Sequence, residues 1–396
     1  MFELFSLKDG IANVDGFYCD GINCGLRPNK EQGDLAFIRS DKLCNIAAVF
    51  TTNRFRAAPI KHALQYGELF EGNFILINAK NANAMTGRKG VEDIKDILSH
   101  LPKEINAINP IMSSTGVIGY RLPKEKIIDG IKKLNFNAKN SDAAANAILT
   151  TDTFKKELCF EVVLDSGKSF KIAAIAKGAG MINPAMATML CFIVTDAAVP
   201  KEEIKELLKE AVDNSFNKIS VDGDRSTNDS VFLMANGKSG AYEREAFLFA
   251  LKELTMNLAM MILKDGEGST KVVAFEVVGA KNDKEAEIAA RNLSNSLLVK
   301  TALFGADPNW GRIASTIGAS NIECDEEKLE IYYDDLLIYS KDEPQLTPQK
   351  EELAFKIMQK ESFKIRCNLN IGNGSFIAYG CDLSYDYVKI NAEYRT

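Results

Sequence analysis

The chain has 396 residues, 46% hydrophobic and 26% charged, with a formal net charge of −6. That length exceeds one small core and suggests two or three domains, and the acidic balance argues against a nucleic-acid or anionic-membrane surface, which needs a basic excess. A soluble cytoplasmic protein is expected, because MFELFSLKDGIANVDG has no basic stretch before a long apolar core and no uninterrupted apolar run approaches the roughly 18–20 residues of a membrane span.

The first fifty residues read as short strands broken by glycine and asparagine: GFYCDGINCGLR, DLAFIRS and IAAVFTTN. His62 lies in the helical-looking PIKHALQYGELF and His100 near a helix end in ILSHLPK, so surface or capping roles are expected of both. FILINAKNANAMTG reads as a strand running into an Asn-rich loop. INAINPIMSSTGVIGY has the same form, with Ser113, Ser114, Thr115 and Gly116 at its turn. SDAAANAIL has helical periodicity with Ser141 as its cap. ELCFEVVL and FKIAAIA flank the turn DSGKS and predict a hairpin leading into KGAGMINPAMATML at 177–190. Thr188 opens the next apolar β-run.

PKEEIKELLKEAVDNSF then places Ile204, Leu207, Leu208, Ala211 and Val212 on one helix face, with Pro200 at its first turn. FLFALKELTMNLAMMIL places Leu251, Leu254, Leu258 and Met261 similarly and reads as core. A β-run, KVVAFEVVG, precedes a change of pattern beyond Gly279: a helix AEIAARNLSNSLLVKTAL, the loop GADPNWGR, and alternating strands. Helices and strands mix without regular βαβ alternation, which favours α+β layers, with a soft domain boundary near residue 280.

The eight cysteines include no CxxC pair, so they are expected to be reduced and partly buried, and no metal site is expected. With two histidines, a hydrolase built on a histidine base is disfavoured. DGEGSTK lacks the order of a phosphate loop, and DGDRSTNDS lacks the glycine and glutamate of a calcium loop.

Six polar turns remain as carriers of chemistry: SSTGVIG (113–119), TTDT (150–153), KGAGM (177–181), SVDGDRSTNDS (220–230), DGEGSTK (265–271) and NAEYRT (391–396). A threonine hydroxyl needs a neighbouring base to act as a nucleophile. Cutting the backbone between Ala187 and Thr188 would free an α-amino group, whose intrinsic pKa of about 7.7–8.0 suits that task. Thr115 and Gly116 could offer a hydroxyl and an N–H to an oxyanion, and Lys177 a charge to a carboxylate. Taken alone, these stretches read rather as a hairpin turn with a strand threonine, a glycine turn and a solvated lysine.

Together the segments resemble the ornithine acetyltransferase family of arginine biosynthesis, also called bifunctional glutamate N-acetyltransferase. The likeness runs along essentially the whole chain: DLAFIRS, AAVFTTNRFRAAP, NAKNANAMTG, SSTGVIG, TTDT, KGAGMINPAMATML, VDGD with STNDS, DGEGSTK, GADPNWGRI and NAEYRT. It implies an αββα-type layered catalytic domain (1–280) and a smaller C-terminal α/β domain (281–396) whose end returns to the active site. It also implies self-cleavage at Ala187–Thr188 into an α chain (1–187) and a β chain (188–396), assembled as two α and two β.

In this reading Thr188 takes acetyl from N-acetylornithine and passes it to glutamate. Thr115 and Gly116 form the oxyanion hole. Thr151, Lys177, Thr188, Glu267, Asn391 and Thr396 line the pocket, with Thr153 the alternative to Thr151. No metal or organic cofactor is required, although some members of the family also take acetyl-coenzyme A as donor. Two rivals stand beside this expectation: a related self-cleaving aminopeptidase or amidase, and a non-catalytic binding protein.

Overall fold

The computed structural model describes residues 1–183 and 189–393. Strands β1 (Phe2–Leu7), β2 (Phe17–Ile22), β3 (Leu35–Phe50), β4 (Leu69–Asn78) and β5 (Ile111–Ser114) come first. β6 (Lys156–Leu164), β7 (Ser169–Lys177) and β8 (Leu190–Thr195) follow, then β9 (Ile219–Ser220) and β10 (Ser230–Ala235). All but β9 join one nine-stranded mixed sheet, ordered β1-β6-β7-β8-β10-β3-β4-β5 with β2 on β3.

The period of two along a strand decides what each face of this sheet meets. In β7 and β8, Ile172, Ala174, Cys191 and Ile193 share a core with helices Lys201–Asp213 and Arg244–Lys264. The alternate residues Ala173, Ile175, Phe192 and Val194 enter a second core with Ile38, Ile46 and Ala48 of β3, closed by helix Ser141–Ala147. Helices Gly87–Ser99 and Lys124–Ile131 cover Leu35, Phe37, Phe74 and Leu76 on β3 and β4. The result is a mixed α+β architecture with helices on both faces of the large sheet.

The predicted face of helix Lys201–Asp213, Ile204 through Val212, is buried throughout. Among the described residues, Arg244–Lys264 is the one helix long and apolar enough to cross a membrane. Phe247, Leu251, Leu254, Leu258 and Ile262 are fully buried in the sheet's core, each adding roughly 1.5–3 kcal/mol relative to exposure. That burial makes it a core helix.

The remaining strands, β11 (Val272–Ala280), β12 (Glu330–Tyr333), β13 (Leu336–Tyr339), β14 (Ser362–Asn368) and β15 (Gly374–Cys381), form a second sheet with β9, ordered β13-β12-β14-β11-β15-β9. β9 and β11 both lie within residues 1–280, so this sheet draws strands from ahead of the expected boundary. Its own core holds Phe275, Ala290, Leu293, Ile331 and Ile365.

Local readings are corrected in four places. Asn140, rather than Ser141, caps helix Ser141–Ala147 by accepting from Ala143 N at 3.2 Å, while the Ser141 hydroxyl accepts from Ile11 N at 2.9 Å. The helix expected across AEIAARNLSNSLLVKTAL breaks at Ser296, whose extended backbone and side-chain cap on Val299 N start a second helix, Leu297–Phe304. Trp310 in the expected loop GADPNWGR opens helix Trp310–Gly318.

The fourth is His62, which is 3% exposed with Nδ1 making no hydrogen bond, instead of lying at the surface. His100 does sit at the end of its helix, with Nδ1 2.8 Å from Asp96 O. Burial, aided by the charge of Lys95, pushes the His62 imidazole down to about 4. The unfolded chain therefore takes up a proton near pH 6.5 that the folded chain refuses until about pH 4. Stability should fall across that window as pH drops, by up to about 3 kcal/mol. His62→Gln should flatten the melting-temperature profile between pH 6.5 and 4; an unchanged slope would contradict this account.

Candidate active site

β7 and β8 are antiparallel neighbours, Lys177 pairing with Leu190 where the connection between them begins and ends. Both described flanks of that connection are pinned. Met181 N and Ile182 N donate to the Asp222 carboxylate at 2.6 and 2.9 Å, and Met189 N donates to Asp229 Oδ1 at 3.0 Å. Ala187, Thr188 and Thr396 lie outside the described residues.

One pocket opens at this end of the large sheet. It is lined by Thr115, Gly116 and Ile118 from the first polar turn, Thr150 and Thr151 from the second, and Lys177, Gly180 and Met181 from the third. Ser226, Thr227 and Asn228 come from the fourth, Glu267 from the fifth and Asn391 from the sixth. All six polar turns therefore meet at one place. Thr151 reaches the pocket, whereas Thr153 is occupied elsewhere, its N–H and hydroxyl both donating to Asp265.

The first turn offers two donors. Thr115 N is spent on Asn78 O at 3.0 Å. Neither the Thr115 hydroxyl nor the Gly116 N–H makes a hydrogen bond among the described residues. Asn228 locks this turn in place by donating to Ser114 O at 2.9 Å and Ala82 O at 2.6 Å.

The second sheet delivers the acidic side. Asp382, just past β15, accepts from Thr270 N at 2.8 Å and Lys271 N at 3.0 Å, and Ser384 Oγ donates to Gly268 O at 2.6 Å. Gly268 has φ +69°, and a Cβ there would stand 2.5 Å from Tyr387 N, so glycine admits helix Tyr385–Glu393 against the turn. Glu267 is held by its own N–H on Ala179 O and accepts from Asn391 Nδ2 at 2.8 Å. Glu267 as a whole is 8% exposed.

Lys177 supplies the opposing charge. Its side chain is 3% exposed, its Nζ lies 3.8 Å from Asp152 Oδ2, and it makes no hydrogen bond among the described residues. Burial lowers its pKa, with the Asp152 carboxylate opposing that fall. Burial acts to raise Asp152, yet Lys177 and Lys156 together hold it below the usual carboxylate range. Asp229 differs: burial pushes its carboxyl well above the ordinary value, although Met189 N and the charge of Lys177 oppose the rise. Among the described residues, the Asp229 Oδ2 atom makes no hydrogen bond.

Among the described residues that line the pocket there is no histidine or cysteine, and no cluster of metal-ligating side chains occurs among the described residues. The sequence reading missed Ser226, Thr227 and Asn228 as pocket residues, although their segment stood among its polar turns. It also missed Asp152, whose signal was a lone acid inside TTDT.

The profile of the ArgJ family matches residues 18–396. The chain belongs to the ArgJ family. The arginine biosynthesis bifunctional protein ArgJ of Wolinella succinogenes is 55% identical over 399 residues, covering 100% of each chain. That of Caldanaerobacter subterraneus subsp. tengcongensis is 42% identical, covering 96% of this chain and 97% of its own. A crystal structure of ArgJ from Bacillus halodurans is 41% identical, covers 50% of this chain and 96% of that one, and superposes with a TM-score of 0.47. This ArgJ-family chain is an acyltransferase of arginine biosynthesis that moves acetyl between ornithine and glutamate intermediates.

Proposed function

We propose that the chain cuts itself between Ala187 and Thr188 and then works by a ping-pong scheme through acetyl-Thr188. The meeting of all six polar turns, with Lys177 and Glu267 as opposite charges in one pocket, carries this reading. An amino-acid substrate has a carboxylate for the lysine and an ammonium for the glutamate. In maturation the Thr188 hydroxyl attacks the Ala187 carbonyl, and water hydrolyses the resulting ester.

In the first half-reaction the freed α-amine takes the Thr188 hydroxyl proton as Oγ bonds to the acetyl carbon of N-acetylornithine. The Thr115 hydroxyl and Gly116 N–H face the oxyanion. The amide C–N bond then breaks, the proton passes to the departing nitrogen, and ornithine leaves. The neutral α-amine of glutamate attacks the ester carbon, Oγ recovers a proton, and N-acetylglutamate leaves.

Thr151, Asn391 and Thr396 complete the substrate contacts. In this reading residues 1–280 form an αββα-type catalytic domain, 281–396 a smaller domain that returns the chain end to the pocket, and two α and two β chains assemble in the cytoplasm. Acetyl-coenzyme A fits the same ester chemistry as a second donor, in keeping with the word bifunctional in the relatives' names.

Ornithine release from N-acetylornithine separates transfer from hydrolysis. Glutamate should accelerate it by roughly tenfold or more, with N-acetylglutamate formed in equal amount, because an amine outcompetes water for the ester. Release that glutamate does not accelerate would support the amidase reading instead.

A further inference from the structure

Four charged side chains lie buried together beneath the pocket. Asp152 and Lys156 are 0% exposed, Asp265 is 1% and Lys177 is 3%. Lys156 Nζ stands 2.8 Å from Asp152 Oδ1 and 2.5 Å from Asp265 Oδ2. Asp152 also accepts from Gly178 N at 2.6 Å and Thr150 N at 3.0 Å, so both of its oxygens are fixed in direction. Asp265 is fixed in turn by Thr153 N at 3.0 Å. The cluster thus joins the 150–153 turn, the start of β6, the end of β7 and the end of helix Arg244–Lys264.

The two lysines are not equivalent. Lys156 has two carboxylates and the Phe154 carbonyl, and it lies over the Phe154 ring. Among the described residues Lys177 has one carboxylate at ion-pair distance, shared with Lys156, makes no hydrogen bond, and lines the pocket. A buried ammonium without a counter-charge carries a large desolvation cost and tends to lose its proton. Among the described residues, the one carboxylate at ion-pair distance from Lys177 is also the one that Lys156 competes for.

We propose that Asp152 is the positioning residue for Lys177, its carboxylate shared between the two lysines so that Lys177 presents a charged ammonium to the pocket while Asp265 draws Lys156 to the far side. This rests on the reading that Lys177 meets a substrate carboxylate. Besides Asp152, the charged groups acting on Lys177 are Lys156 on β6, Glu267 after helix Arg244–Lys264, Asp229 before β10, and Lys80 after β4. Asp152 is the strongest of the groups that favour its charged form, and Lys156 disfavours it.

Opposite changes follow in the pH profile of kcat/KM, whose basic limb reports loss of the Lys177 proton. Asp152→Asn removes the counter-charge and keeps the shape. Its basic limb should move down by roughly one pH unit, and KM for both amino acids should rise about tenfold or more with a smaller change in kcat. Lys156→Gln removes the competitor and should move the limb up. Asp152→Glu restores the charge and should return the limb toward the parent position, which keeps the test decisive if the Lys156 variant does not fold. Intact mass verifies that each variant has been cut.

Limbs that shift in the same direction, or that stay in place while Lys177→Met has lost its affinity, would overturn the positioning role and leave the site reading standing. A Lys177→Met enzyme with parental KM for both substrates would overturn the site reading, and the proposal with it.

Discussion

Thr188→Ala is expected to leave one uncut chain and to lower acetyl transfer by roughly 10⁴-fold or more, as removal of a covalent nucleophile does. The single substitution should strike twice, because in the proposed scheme the same hydroxyl opens the Ala187 peptide and later carries the acetyl group. The pocket's composition leads to this expectation. Among its described residues no histidine or cysteine offers a base or an alternative nucleophile, and neither His62 nor His100 lines it. A base supplied by the cut itself meets that need. Mass spectrometry of the denatured variant and a transfer assay on the same sample check both effects; transfer near the parental rate in the uncut variant would remove Thr188 from the mechanism.

Gly116→Ala is the second large effect. Gly116 has φ +129°, and a Cβ would stand 2.2 Å from the Lys80 carbonyl carbon and 2.5 Å from Asn81 N. These are backbone atoms, and Asn81 bridges to both Thr115 and Val117, so the neighbour cannot swing aside as a side chain would. The turn itself must move, taking with it the Gly116 N–H proposed as an oxyanion donor. Loss of an oxyanion donor lowers kcat by roughly 10²–10³-fold, and a non-glycine residue held in this backbone region costs about 1–3 kcal/mol of stability. KM should change far less than kcat. The proposed self-cleavage would pass through an oxyanion as well, so cutting should slow in the same variant. A kcat within about twofold of the parent would exclude Gly116 N–H as a donor.

Particular residues show how far the sequence could be read. The face of helix Lys201–Asp213 was legible because apolar residues recur at the helical period and nothing non-local competes. The six polar turns were legible as strand-end loops, and their family likeness grouped them, but no local rule could place them around one pocket. That convergence is made by topology: β7 and β8 set Lys177, β5 sets Thr115, and Asp382 of the second sheet sets the turn that carries Glu267.

The membership of β9 and β11 in the second sheet was hidden for the same reason, since pairing partners lie far along the chain. His62 was misread because an ionisable residue in a short helix ordinarily faces water, and only the packing around helix Ala58–Ala63 buries it. The Asp152–Lys156–Asp265 cluster was invisible in sequence because Asp265 comes from 109 residues beyond Lys156.

The proposed mechanism requires an acetyl group carried by Thr188, which one mass measurement can find. Freshly purified protein is incubated with N-acetylornithine alone, denatured and weighed, and then weighed again after glutamate is added. Two fragments meeting at Ala187/Thr188 are predicted, the 188–396 fragment heavier by one acetyl group at first and free of it after glutamate. An enzyme that transfers acetyl while its chain stays whole, or while neither fragment ever gains an acetyl group, would contradict the mechanism.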